Sequence, residues 1–129
     1  MSIIYHEVLL HEVVDKVRDF FERMPEIKFA VIFGSAVRRR LVRDIDIAVY
    51  SRPELSLRKL IEVANVLEDL LRTPVDLMPI EQTSPKQRVK ILTEGIRVIT
   101  RDSAIPSSLL SRALSENMDV EIKLREGKN

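Results

Sequence analysis

Cysteine is absent from the chain, which removes a disulfide scaffold and a thiolate metal site from consideration. Glycine is scarce, with only Gly34, Gly95 and Gly127 in 129 residues. No apolar run is long enough to span a bilayer, and the acidic, amphipathic N-terminal stretch does not read as a signal peptide. These absences point to a cytoplasmic protein that does not enter the membrane. Neither sign of charge dominates. The 21 Lys and Arg against 20 Asp and Glu leave a net charge of +1, which excludes a bulk polybasic nucleic-acid binder but permits a local basic patch. What is present is a globular balance, 45% hydrophobic and 32% charged, in a length that suits one compact unit with a terminal extension.

Apolar periodicity outlines the elements. From Ile3 to Met24, Leu10, Val13, Val14, Val17, Phe20, Phe21 and Met24 form a stripe of helical period, and Pro25 stops it. Phe29 to Phe33 is a continuous apolar run ending at Gly34, the signature of a strand covered on both faces. Asp44 to Tyr50 reads as a second strand. Leu57 to Leu71 reads as a helix with Ser56 as N-cap, ended by Thr73-Pro74. Val75 to Met78 is a short strand, Pro85 to Thr93 a helix with Gly95 as its cap, and Ile96 to Thr100 a strand. The link between the first two strands is too short for a crossover helix, so they are expected to be antiparallel or mixed. The fold class is α/β (α+β): a small mixed sheet with helices packed on it.

Residues 1–102 form the main unit, and 103–129 a C-terminal extension belonging to it. The extension opens as a helix around Leu109, Leu110, Ala113 and Leu114. Beyond it Met118, Val120, Ile122 and Leu124 alternate with charged residues, a strand pattern that the same residues can also carry as continued helix. An apolar strand face needs cover, so it is expected on its own sheet or against a second copy in a homodimer. Glu126 to Asn129 form a frayed end, where Gly127 has no assigned role. His6 and His11, five apart on the first helix, read as surface residues.

Chemistry concentrates between Phe33 and Asp46. Residues two apart on a strand share a face, so Asp44 and Asp46 project together. Adjacent carboxylates repel and are costly to bury unless a cation lies between them, and magnesium suits such a pair with substrate phosphates completing its shell. Gly34-Ser35 at a strand-to-helix turn offers backbone N–H groups and a hydroxyl to phosphate oxygens. Arg38, Arg39, Arg40 and Arg43 crowd the connector, as a phosphate-binding set or as a solvated face. Without aromatic interleaving they give no single-strand nucleic-acid platform. Asp76 lies on the next strand between Val75 and Leu77. If that strand neighbours the Asp44–Asp46 strand, three carboxylates converge beside a phosphate cradle, as two-metal phosphoryl or nucleotidyl transfer requires.

The run Gly34-Ser35, Asp44-Ile45-Asp46, Val75-Asp76-Leu77 and Ile91-Leu92-Thr93-Glu94-Gly95 resembles the DNA polymerase β-like nucleotidyltransferase superfamily, most closely its minimal nucleotidyltransferases, over roughly Phe29 to Thr100. The resemblance implies that Asp44, Asp46 and Asp76 hold Mg²⁺ or Mn²⁺, with Asp76 also general base. It implies that Gly34 and Ser35 meet the phosphates of ATP or another NTP, and from the connector Arg38 and Arg43 are the arginines expected to join them. The reaction would transfer a nucleoside monophosphate to a hydroxyl acceptor. A HEPN-family protein is the implied partner, either adenylylated by this chain as the antitoxin of a toxin–antitoxin pair or, as the alternative, neutralised by occlusion without catalysis. The connector departs from the family's usual one: eight residues separate Ser35 from Asp44, none is glycine, and Arg43 directly precedes the first acid.

Overall fold

The computed structural model describes residues 3–126, with side chains to residue 117. In chain order they form β1 (His6–Glu7), α1 (Leu10–Glu22), β2 (Ile27–Phe33), β3 (Leu41–Val42), β4 (Ile45–Ser51), α2 (Leu57–Leu71), β5 (Val75–Pro79), α3 (Pro85–Glu94), β6 (Ile96–Thr100) and α4 (Ala104–Glu126). Single 3₁₀ turns occupy Gly34–Val37 and Ile80–Gln82. The main sheet has strand order β5-β4-β2-β6. β2 runs antiparallel to both β4 and β6, while β4 and β5 are parallel. The sheet is therefore mixed, as the short first connection requires.

Alternation along the strands divides the core. Ile45, Ile47 and Val49 of β4, with Ala30 and Ile32 of β2, pack under the apolar stripes of α1 (Val13, Val14, Val17, Phe21) and α2 (Leu60, Val63, Leu67). Phe29, Val31 and Ala48 point to the opposite side, where Ile91 and Leu92 of α3 and Leu109 of α4 cover them. Central strands with both faces covered read as unbroken apolar runs, which is why Phe29–Phe33 has no polar alternation. Ser56 and Ser84 cap α2 and α3, each accepting a backbone N–H three residues on at 3.1 Å.

Two expectations need correction. The first helix begins at Leu10, not Ile3. The residues before it include β1, which pairs antiparallel with β3, and His6 lies on that strand rather than on a helix. Ile3, Ile4 and Tyr5 lie outside any helix and are exposed, and pairing with the connector overrides the helical reading. The alternating tail is not a strand, because α4 runs unbroken from Ala104 to Glu126. Met, Glu, Leu, Lys and Arg propagate a helix readily once it has started, and alternation alone supplies no partner strand. Gly95 caps the end of α3 as expected, its N–H donating to the Ile91 carbonyl, with φ −75°. Its reason is space: a β-carbon there would collide with Val31 and lie 2.5 Å from the Ile91 carbonyl. The frayed end and Gly127 fall on residues 127–129, outside the described residues.

Arg88 does structural work that the sequence does not advertise. Its buried guanidinium donates to the carbonyl oxygens of Ile80, Glu81 and Thr83 at 3.3, 3.3 and 2.6 Å, tying α3 to the turn after β5.

If residues 103–117 are integral to the core, Leu109→Ala should lower unfolding free energy by about 3 kcal/mol. Leu114→Ala, at a 46% exposed position, should change it by less than about 1 kcal/mol in the same urea titration.

Candidate active site

The carboxylates lie at the end of the sheet where β2 finishes and β4 and β5 begin. Phe33, the last residue of β2, is paired with Asp46, and Asp46 in turn sits beside Asp76 in the parallel ladder. Paired residues on neighbouring strands project to the same face, so register alone places Asp46 and Asp76 together. Asp44, two residues earlier, joins them. The face is the one lined further along by Ala48 and Phe29, and at this end no helix seals it. Asp44 and Asp46 are half-buried and Asp76 is exposed.

The Asp46 carboxyl is raised from the ordinary 3.8 to about 6, first because burial disfavours its charged form, then because Asp44 and Asp76 repel it. Among the described residues, no group of three or more His, Cys, Asp or Glu is placed to hold a metal ion by itself, so an ion here would take the remainder of its shell from water and phosphate oxygens. The donor set nonetheless fits magnesium. It consists of hard oxygens only, lies on one open face, and carries repulsion that a cation would relieve.

Gly34 completes the other half. Its φ of +77° lies where L side chains are strained, and a β-carbon would strike the Asp46 carboxylate. The turn after it is a single 3₁₀ turn of four residues, too short for a helix dipole of any weight. An anion here would rely on backbone N–H groups, the Ser35 hydroxyl and side-chain cations. The Ser35 carbonyl accepts from the N–H groups of Arg38 and Arg39 at 3.0 and 2.8 Å, which fixes where those arginines leave the chain.

Beside Asp46 opens a cleft of about 510 Å³, walled by Gly34, Ser35, Arg38 and Arg39 on one side and by Gln87, Lys90 and Glu94 of α3 on the other. Of the expected site residues, Gly34, Ser35, Arg38 and Asp46 line it. Asp44, Asp76 and Arg43 are not among its lining residues; Asp76 and Arg43 are exposed, and Asp76 lies beside Asp46 in the β4–β5 ladder. The α3 residues went unread in the sequence. Their spacing of three and four does place them on one helix face, but it resembles any solvated face.

The family model for polymerase beta nucleotidyltransferases matches residues 15–104. The chain belongs to that family, and is a nucleotidyltransferase by class. A candidate protein adenylyltransferase of Methanocaldococcus jannaschii is 37% identical over 71 residues, which span 54% of this chain and 72% of that protein. Among solved structures, a chain of a toxin–antitoxin complex with AMP-PNP superposes with TM-score 0.75 at 21% identity, over 88% of this chain and 93% of that one. A chain of the complex between tri-AMPylated Shewanella oneidensis HEPN toxin and MNT antitoxin gives 0.74 at 19% identity, over 92% and 94%. At such identity these two share the fold. No helix among the described residues is long and apolar enough to cross a membrane.

Two outcomes test the site's construction. Gly34→Ala should destabilise the protein by roughly 1–2 kcal/mol in chemical denaturation and displace Asp46. The raised Asp46 value means that the folded chain holds this proton more tightly than the unfolded one. Stability linked to it is full below about pH 4 and is lost as pH rises through about 6. Asp46→Asn removes that loss. Its melting temperature should exceed the parent's at pH 7.5, by on the order of 1 kcal/mol of stability for a half-solvated group, with the advantage gone at pH 4.

Proposed function

We propose that the chain transfers adenylate from ATP to a hydroxyl on a HEPN-family partner protein, with magnesium as the metal. The observation that carries this is the three-acid face, Asp44, Asp46 and Asp76, set against the Gly34–Ser35 turn by strand register. The candidate adenylyltransferase relative and the AMPylated HEPN toxin in a solved complex of the same fold support the choice of group and acceptor.

Asp44 and Asp46 would hold the metal, and Asp76 would share it and take the acceptor's proton. Bound magnesium would neutralise phosphate charge and the charge that develops at the α-phosphorus. Gly34 and Ser35 would receive the phosphates, with Arg38 reaching them from the connector. Arg43, exposed beside Asp44, would add positive field at the approach. The acceptor oxygen loses its proton to Asp76 and bonds to the α-phosphorus. The bond from that phosphorus to the bridging oxygen of the β-phosphate breaks, and pyrophosphate leaves. Asp76 suits the base role because it is the exposed acid of the three, open to an acceptor arriving from solvent.

Replacing Asp44 and Asp46 together by Asn should reduce magnesium-dependent ATP binding at least about 100-fold by calorimetry, since both anionic ligands are lost. Incubation with ATP, magnesium and a HEPN-family protein should add adenylate mass to the latter. Co-elution without added mass would favour neutralisation by occlusion, and unchanged ATP affinity in the double variant would remove the site assignment.

A further inference from the structure

One ion pair bridges the two walls of the cleft. Arg38, at the end of the Gly34–Val37 turn, places Nη2 3.3 Å from Oε1 of Glu94, the last residue of α3. Both side chains line the cleft, together with Arg39, Lys90 and Asp46 as its other charged groups. Glu94 is badly placed for its own helix. An acid at a helix C-terminus opposes the macrodipole, and the last turn of α3 carries no basic residue to offset it. A negative charge is also an unwelcome neighbour in a cleft meant for a triphosphate. Stability of α3 and attraction of the substrate both argue against this residue, so its use lies in what it does to Arg38.

We infer that Glu94 is a positioning residue, holding Arg38 across the cleft so that the guanidinium meets the nucleotide's phosphates pre-oriented. This rests on the nucleotidyltransferase reading of the same site. Arg38 is long and largely exposed, and without a partner its side chain would be spread over many rotamers. A guanidinium carries five N–H donors in a planar fork, so one edge can serve Glu94 while the other stays free for phosphate oxygen. The pair also links the turn to α3 across the cleft where the phosphates would lie.

Simple electrostatics and positioning predict opposite signs. Removing an anion from an anion site should tighten ATP binding, whereas releasing Arg38 should weaken it. In the full-length protein with magnesium and ATP, Glu94→Ala should weaken ATP binding ~3- to 10-fold, with Glu94→Asp recovering part of the loss. The melting temperature should stay level or rise, because the helix end is relieved. In an Arg38→Ala background the Glu94→Ala change should cost nothing further, the mark of a residue acting through another. Equal or tighter ATP binding by Glu94→Ala, or the same loss with and without Arg38, would overturn the inference while leaving the site intact. Absence of ATP binding by the parent protein would instead overturn the functional reading, and the inference with it.

Discussion

Repulsion among Asp44, Asp46 and Asp76 is the constraint around which this end of the molecule is organised. Like charges on one face drift apart unless the backbone forbids it, and here it forbids it twice. The parallel β4–β5 ladder locks Asp46 beside Asp76, and antiparallel pairing with β2 brings Phe33, and thus Gly34, against Asp46. The energy for that confinement comes from elsewhere, from the apolar layers on both sides of β2 and β4. A slip of β4 by one residue would turn Asp46 under α1 and α2, where Ile45, Ile47 and Val49 now pack, so the hydrophobic effect helps to specify the site.

The division of labour between the two sheet faces follows. Under α1 and α2 the face is closed along the length of β4. Under α3 and α4 the opposite face is closed over β2 but open beside Asp46, where α3 forms one wall of the cleft from Gln87 to Glu94. The helix thus leaves room for a ligand and supplies side chains to one side of it.

Much of this was legible in the residues. The Phe29–Phe33 run, the Asp44–Asp46 alternation and the isolated Asp76 carried strand identity and facing, because a period of two and full burial are written directly in apolar spacing. Ser56 marked a helix start through cap chemistry. What escaped depended on contacts between distant segments. Nothing local in His6–Glu7 says that it pairs with Leu41–Val42, and the N-terminal residues continue the helical stripe well enough to mislead. The α4 tail alternates like a strand, but a strand exists only with a neighbour to bond. Gln87, Lys90 and Glu94 form an ordinary polar face until Arg38 stands opposite.

The collision that a side chain at Gly95 would meet has a mechanical consequence. With Val31 and the carbonyls of Ile91 and Ile32 crowding that point, the end of α3 lies hard against β2, and Arg88 anchors the helix's other half to the turn after β5. That wall of the cleft therefore moves only with the sheet. The facing wall is a four-residue turn and a connector whose ladder to the N-terminal segment is two residues long. Any change in cleft width on binding falls on that lighter side, which behaves as the jaw to a fixed anvil.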